Sequence, residues 1–238
     1  MSKHKIMNNE LLRNDFKTVR NWIFDLDDTL YPSTEGLFSQ MADRIQSFIM
    51  DALHVNGEDA SEIQKKYYKQ YGATVRGLML EHNVRPEDFT DYVHDLDLSC
   101  LKENKPLRTA VSALPGRRFV FTNGAYHHAE RVLKCIGLEG CFDGIFSIRE
   151  AGYVPKPAKE TYLKMLETFG VSPESAVMFD DSQTNLLTAH KIGMKTVWIS
   201  TNSRDNVYNM ISKTPDFCDY QTDDLVSFLS SLMLEKTA

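Results

Sequence analysis

The sequence predicts an α/β fold in which helices cover both faces of a parallel sheet. Its short apolar runs are rich in β-branched and aromatic residues, and amphipathic helical patterns separate the later runs. Such alternation of strands and helices is typical of parallel sheets. The chain has 238 residues, 42% of them hydrophobic, which suits one large domain or a core with a smaller insert.

Five apolar segments are predicted to form buried strands, and three amphipathic segments are predicted to form helices between or after them. The strands are Trp22–Phe24, Phe119–Phe121, Gly144–Ile148, Ala176–Phe179 and Thr196–Ile199, and the helices cover 126–136, 158–169 and 183–191.

A long stretch without strand signals follows the first strand. Its helical patterns cover 36–53, 59–71, 74–82 and 86–93. We therefore expect a helical cap over residues 32–105, inserted into a discontinuous core formed by residues 1–31 and 106–238. Alternatively, these helices pack on the core without forming a separate unit.

Composition favours a small substrate over a nucleic-acid polymer. The formal net charge is −6, whereas proteins that bind nucleic acids through the phosphates are usually basic or carry a basic stripe. An anionic substrate would then need local positive charge, from a metal ion or a few placed lysines.

The chain carries four cysteines without a CxxC pair, which suggests free thiols in a reducing compartment. Its first residues lack the apolar run of a signal peptide, and no stretch approaches the length of a membrane span. We expect a cytoplasmic protein without membrane association, either a monomer or a homodimer.

The loop after the first strand holds three carboxylates within four residues, those of Asp25, Asp27 and Asp28. Such close like charges raise one another's pKa unless a cation lies among them. Oxygen ligands of this kind suit Mg²⁺, although a solvated acidic turn is equally compatible with the loop alone. In extended backbone Asp25 and Asp27 face the same side, so one can attack phosphorus while the other protonates the leaving oxygen.

Two further loops carry groups that can bind a phosphoryl group. Thr122, Asn123 and Gly124 follow the second strand, where a hydroxyl and free backbone N–H groups at a helix start can bind an anion. Lys156 lies between two prolines, which stiffen the loop and present the ammonium group in a fixed place. The alternatives are ordinary helix capping and a surface lysine.

Asp180 and Asp181 follow the fourth strand. Because ligands bind beyond the carboxyl ends of parallel strands, we expect all these loops to converge. The pair would then complete a Mg²⁺ site with Asp25 and the main-chain carbonyl of Asp27. Asn185 is one turn further on and is expected to hold a metal-bound water or the lysine; an acidic helix cap is the alternative.

These loops resemble the four motifs of the haloacid dehalogenase superfamily. The motifs correspond to Asp25-Leu26-Asp27-Asp28-Thr29, Thr122, Lys156 and Asp180-Asp181. The resemblance implies a Rossmann-like core, and the helical insert resembles the superfamily's cap.

By this resemblance Asp25 is the nucleophile and a Mg²⁺ ligand. Asp27 is the general acid and then the base, and its presence argues against the dehalogenases, which lack an aspartate there. Thr122 and Lys156 hold the phosphoryl group. Asp181 ligates the metal directly, and Asp180 does so directly or through water.

The chain also resembles the superfamily's pyrimidine 5′-nucleotidases, which implies UMP or CMP as substrate. The cues are Tyr31-Pro32, residues 71–78, His94-Asp95 and Thr122-Asn123-Gly124, with Ala73 where the resemblance leads us to expect threonine. Thr74 and Arg76 would contact the base or sugar; alternatively, Arg76 lies in solvent. A phosphatase or mutase acting on sugar phosphates or other small metabolites is the second hypothesis, and a non-catalytic binding module is the third.

Two adjacent histidines, His127 and His128, open the helix after the second strand. Neighbouring residues on a helix point in different directions, so a shared metal is not expected. We interpret both as surface or capping residues; alternatively, either one contacts the substrate.

Overall fold

A computed structural model of the chain describes residues 9–32, 36–200 and 214–233. Within these ranges one sheet is formed by β1 (Asn21–Phe24), β2 (Arg117–Phe121), β3 (Gly144–Phe146), β4 (Ala176–Asp180), β5 (Lys195–Ile199) and β6 (Tyr220–Thr222). The strand order is β3-β2-β1-β4-β5-β6, and neighbouring strands are parallel. The predicted α/β fold with a parallel sheet is confirmed.

The helices lie between the strands and at both ends of the described chain. They are α1 (Asn9–Phe16), α2 (Leu37–Leu53), α3 (Gly57–Tyr71), α4 (Thr74–His82), α5 (Pro86–Val93), α6 (Lys105–Ser112), α7 (Tyr126–Cys135), α8 (Lys159–Phe169), α9 (Gln183–Lys191) and α10 (Leu225–Met233). No helix in the described ranges combines the length and apolarity needed to cross a bilayer.

Helices cover both faces of the sheet because its central strands are apolar on both sides. Successive strand side chains point to opposite faces. Phe24 and Phe179 stack with ring centroids 4.6 Å apart on one face, in the core that α1, α6, α7 and α10 complete. Ile23 and Met178 lie on the other face, where α8 and α9 pack.

The strand order reverses between β1 and β4. The chain passes from β1 to β2 and β3 on one side, and then crosses to β4 on the other side of β1. In open parallel sheets a ligand crevice forms at such a switch, beyond the carboxyl ends of the strands. Asp25 directly follows β1 and Asp180 ends β4, so both carboxylates lie at this position.

The four helices α2 to α5 share an apolar core of their own, to which two residues after β3, Ile148 and Tyr153, also contribute. By contrast, α6 packs against α10. The division of the chain into a core and a cap at residues 32–105 stays a prediction, and the shared core of α2 to α5 is consistent with it.

Some elements differ from the sequence expectation. The third strand ends at Phe146, before the predicted Ile148, because the Ser147 N–H donates to Glu150 Oε2 at 2.9 Å and opens a turn. The short strand β6 was not predicted, because three residues are too few for periodicity to show, yet it extends the sheet beside β5.

Gly77 allows α4 to approach α3 closely, and its replacement is expected to destabilise the protein. A Cβ atom at Gly77 would lie 2.3 Å from Tyr67 Cγ and 2.5 Å from Tyr67 Cβ, so the helices would have to separate. We expect Gly77→Ala to lower the free energy of unfolding by about 1–3 kcal/mol in urea denaturation, as overpacking does.

Gly57→Ala is the matched control, since Gly57 opens α3 and its added Cβ would meet only Met50 Sδ, at 3.9 Å. This variant should retain the stability of the parent or gain up to about 1 kcal/mol. Equal stability of the two variants would contradict the close packing of α3 on α4.

Candidate active site

The ammonium group of Lys156 lies buried between two carboxylates from different strands. Its Nζ is 2.7 Å from Asp25 Oδ1 and 2.9 Å from Asp180 Oδ2, and it donates a third hydrogen bond to the Phe121 carbonyl at 2.8 Å. Burial disfavours the charged amine, but the Asp180 and Asp25 carboxylates outweigh burial and raise the pKa of Lys156. The lysine is therefore a permanent cation at the switch point.

Asn123 fixes the backbone of this lysine. Its side-chain amide donates to the Lys156 carbonyl at 3.1 Å and accepts from the Lys156 N–H at 2.8 Å. The loop after β2 and the lysine loop are thereby joined. Asn123 was predicted to contact substrate; the structure shows its side chain holding Lys156, and a substrate contact stays a prediction.

Asp180 is fully buried and takes hydrogen bonds on both oxygens. Oδ1 accepts from the Ser182 N–H at 2.8 Å and from Asn185 Nδ2 at 3.0 Å, while Oδ2 accepts from Lys156 and, at 3.1 Å, from Asn185. The expectation that Asn185 holds the lysine is wrong, because its amide binds the carboxylate that pairs with Lys156.

The carboxylates at the switch point repel one another. Burial raises the pKa of Asp25 to about 7; Lys156 opposes this rise, while Asp180 and Asp27 add to it. Burial and the neighbouring carboxylates, Asp180 first, also raise the pKa of Asp181. The ionised cluster therefore carries more negative charge than Lys156 alone can offset.

The residues at this position fit a divalent cation with hard oxygen ligands. Asp25, Asp180 and Asp181 each offer one carboxylate oxygen, and these atoms lie within 4.8 Å of one another. Mg²⁺ prefers such ligands, and its charge would relieve the repulsion that raises the two pKa values. The carbonyl of Asp27 stays a predicted ligand.

Thr122 and Gly124 follow β2, next to β1. The Thr122 hydroxyl accepts a 2.9 Å hydrogen bond from the Gly124 N–H, and Thr122 is buried. A Cβ atom at Gly124 would lie 3.2 Å from Thr122 Oγ1 and 3.4 Å from His128 Cδ2. The distance to Thr122 is tighter than usual and the distance to His128 is ordinary, so a side chain at position 124 would crowd Thr122.

Asp27 receives hydrogen bonds from two residues. The Tyr31 hydroxyl donates to Oδ1, and His128 Nε2 lies 3.2 Å from the same oxygen. The chain turns at Asp28, whose φ is 61°, and an isolated bridge pairs Asp27 with Tyr31. Burial would raise the pKa of Asp27, but the His128 and Tyr31 hydrogen bonds lower it to about 2.

The surface or capping role expected for His128 is wrong, because this residue is fully buried beside Asp27. It shares the inner face of α7 with Ala129 and Val132, so helical periodicity was the signal that could have revealed its burial. His127 is half-exposed, and its Nδ1 lies 3.7 Å from Asp91.

A second histidine from the helical insert packs against His128. The ring centroids of His94 and His128 are 4.9 Å apart, and His94 Nδ1 lies 2.8 Å from the Thr90 carbonyl. Burial lowers the pKa of His94 to about 4, so the ring is neutral at pH 7 and Nδ1 donates this bond. His94 entered the sequence analysis only as part of a family cue.

The two predicted cap residues lie in different environments. Thr74 is buried at the start of α4. Arg76 lines a cavity of about 440 Å³ between the α3–α4 region and the prolines on either side of Lys156, and its Nη1 lies 3.4 Å from the Tyr153 carbonyl. Contact of either residue with substrate stays a prediction.

The structure thus brings together Asp25, Asp180, Asp181 and Lys156 at one edge of the sheet. Asp27 belongs to the same loop as Asp25, and Thr122 follows the neighbouring strand. Sequence reasoning missed the buried pair His94 and His128.

Comparison with known proteins agrees with this geometry. Residues 19–193 match the family model of haloacid dehalogenase-like hydrolases. Yeast phosphate metabolism protein 8 is 27% identical over 191 residues, which cover 73% of this chain and 59% of that protein. Glyceraldehyde 3-phosphate phosphatase of Pyrococcus furiosus is 25% identical over 234 residues, 92% of this chain and 95% of that enzyme.

A solved structure is similar in fold. The crystal structure of a HAD phosphatase from Thermococcus onnurineus has a TM-score of 0.61 at 18% identity, covering 90% of this chain and 98% of that one. The family model matches well over half of the sequence. This chain therefore belongs to the haloacid dehalogenase-like hydrolases.

Proposed function

We propose that this chain is a Mg²⁺-dependent phosphatase that hydrolyses small phosphate monoesters through an aspartyl phosphate at Asp25. The observation that carries the proposal is the buried ammonium group of Lys156 between Asp25 and Asp180 at the switch point of the sheet. A fixed cation beside a carboxylate nucleophile suits transfer of an anionic phosphoryl group.

In the first step a carboxylate oxygen of Asp25 attacks phosphorus. The new O–P bond forms while the bond from phosphorus to the leaving oxygen breaks, and Asp27 gives its proton to that oxygen. Lys156 lowers the pKa of Asp25 against the effect of burial and so favours the carboxylate form that attacks. The Thr122 hydroxyl and the Lys156 ammonium hold the phosphoryl oxygens, and the ammonium exchanges one of its three present hydrogen bonds for this contact. Asp27 must carry a proton for this step, although its pKa is about 2. The bound anionic substrate must therefore raise this pKa, as a nearby like charge does.

In the second step a water molecule attacks the aspartyl phosphate. Asp27 takes a proton from this water, the water oxygen bonds to phosphorus, and the bond between phosphorus and Asp25 breaks to release inorganic phosphate. The carboxylate form of Asp27, which its low pKa favours, is the form that this step needs.

Bound Mg²⁺ would supply charge neutralisation at the phosphoryl oxygens. We propose Asp25, Asp181 and the Asp27 carbonyl as the groups that hold it. Both oxygens of Asp180 already accept hydrogen bonds, which favours contact of Asp180 with the metal through water.

The helices α2 to α5, within residues 32–105, act in this proposal as the cap that excludes water and selects the substrate. They share one apolar core, and Tyr153, which follows β3, joins it. Arg76 lines a cavity between these helices and the lysine loop, so its guanidinium group is a candidate for contacting the part of the substrate beyond the phosphate.

For the substrate we propose pyrimidine nucleoside 5′-monophosphates, UMP and CMP, on the resemblance carried by Tyr31-Pro32 and residues 71–78. A sugar phosphate or another small metabolite is the second candidate, favoured by a relative named as a glyceraldehyde 3-phosphate phosphatase. A non-catalytic binding module is disfavoured because the acidic residues are all present.

We expect Asp25→Asn to abolish phosphate release from a panel of esters assayed with Mg²⁺. Loss of a nucleophile lowers kcat by a factor on the order of 10⁴–10⁶. The panel contains UMP, CMP, several sugar phosphates and p-nitrophenyl phosphate, and free phosphate is measured.

The exposed Asp223→Asn variant serves as the charge-matched control and should keep parent activity. A preference for sugar phosphates over UMP and CMP would refute the nucleotide assignment. Absence of turnover on every ester would support the binding module and overturn the phosphatase.

We expect Asp181→Asn to weaken Mg²⁺ binding, because one of three clustered carboxylates is lost. Mg²⁺ at 100 times its Kd stabilises a folded protein by about 2.7 kcal/mol, so it should raise the Tm of the parent clearly and that of Asp181→Asn far less. Differential scanning calorimetry with and without Mg²⁺ measures both shifts.

Asp223→Asn removes the same charge at an exposed position outside the cluster and should respond to Mg²⁺ as the parent does. If Asp181→Asn shows the full parental shift in Tm, Asp181 is not a metal ligand.

A further inference from the structure

Two side chains that take no direct part in the proposed mechanism hold the carboxylate of Asp27. The Tyr31 hydroxyl and His128 Nε2 both lie within hydrogen-bond distance of Oδ1, and neither bonds to Oδ2. Tyr31 reaches Asp27 from the loop after β1, whereas His128 reaches it from α7. Donors from two separate elements fix the rotation of the carboxylate plane.

We propose that His128 and Tyr31 are positioning residues for Asp27, which hold Oδ1 so that Oδ2 is the oxygen that exchanges protons with the substrate and with water. This inference rests on the proposed function, in which Asp27 is the acid and then the base. One proton leaves Asp27 Oδ2 for the leaving oxygen in the first step, and one proton returns to Oδ2 from water in the second step.

The direction of the two hydrogen bonds follows from chemistry. An ionised carboxylate only accepts hydrogen bonds, so His128 Nε2 carries a hydrogen and donates it, as the tyrosine hydroxyl does. Among the described residues both donors lie on Oδ1, so the acceptor capacity of Oδ2 is available to a ligand.

The surroundings of His128 favour a functional role over a purely structural one. Its ring is fully buried, and its Nδ1 has no hydrogen-bond partner among the described residues. A buried polar atom without a partner costs about 1–3 kcal/mol, so an apolar side chain would serve packing better. The bond from Nε2 to Asp27 is the compensating contact in the described chain.

His94 fixes the His128 ring from the insert side. The two ring centroids are 4.9 Å apart, and His94 is itself anchored through Nδ1 on the Thr90 carbonyl of α5 at 2.8 Å. Both rings pack beside the loop after β2, since a Cβ built at Gly124 would lie at ordinary contact distances, 3.4 Å from His128 Cδ2 and 3.5 Å from His94 Nε2. The insert helix α5 is therefore in indirect contact with Asp27.

The test compares substrates whose leaving groups do and do not need a proton. The p-nitrophenolate ion leaves without protonation, whereas the alkoxide of glycerol phosphate needs the proton of Asp27. Because kcat/KM reports the steps up to the first irreversible one, we measure it for both esters in each variant.

We expect His128→Leu to lower kcat/KM for glycerol phosphate by about 10–100-fold, which is part of the typical contribution of general acid catalysis. The kcat/KM for p-nitrophenyl phosphate should fall by no more than about threefold. His128→Gln keeps an N–H donor near the position of Nε2 and should restore most of the loss. The neighbouring His127→Leu, which changes a half-exposed ring that lies near Asp91 instead, should behave as the parent.

Asp27→Asn separates this inference from the proposed function. If Asp27→Asn lowers kcat/KM for both esters by the same factor, the acid role of Asp27 is wrong. The positioning inference is overturned if Asp27→Asn selectively lowers kcat/KM for glycerol phosphate but His128→Leu does not. The latter result would be an equal loss of kcat/KM for both esters, or no loss for either. If His128→Leu fails to fold, Tyr31→Phe tests the inference through the same ratio of kcat/KM values for the two esters. We then expect a selective loss of kcat/KM for glycerol phosphate.

Discussion

The site depends on one buried cation. Lys156 Nζ joins Asp25 at the end of β1 to Asp180 at the end of β4, and its backbone is tied through Asn123 to the loop after β2. Removing one partner of a buried ion pair costs about 3–5 kcal/mol, because the remaining charges stay desolvated. The lysine therefore aligns three strand ends whose carboxylates would otherwise repel one another.

The two aspartates of the first loop have opposite electrostatic environments. Burial and neighbouring carboxylates raise the pKa of Asp25, whereas hydrogen bonds from His128 and Tyr31 lower that of Asp27. Separate environments for paired carboxylates are a common way to assign different roles to chemically identical groups. In the proposed mechanism the nucleophile Asp25 depends on local positive charge, and the acid–base group Asp27 depends on fixed donors.

Sequence reasoning located the strand ends because buried strands and turn residues are local signals. It placed Asp25, Lys156 and Asp180 in separate loops, and the parallel topology brought them together. It missed the contact of His128 with Asp27, because a contact across the fold leaves no local pattern. It also missed β6, whose pairing with β5 is set by tertiary packing and not by periodicity.

In the proposed mechanism phosphate passes through a covalent bond to Asp25. Acid-quenched Asp27→Asn, mixed with p-nitrophenyl phosphate and Mg²⁺ and digested for mass spectrometry, tests this step, because p-nitrophenolate leaves without a proton from Asp27, whereas loss of the base slows hydrolysis of the intermediate. We expect a phosphoryl group on the peptide that contains Asp25. Phosphorylation of a different residue, or turnover that continues in Asp25→Asn, would contradict it.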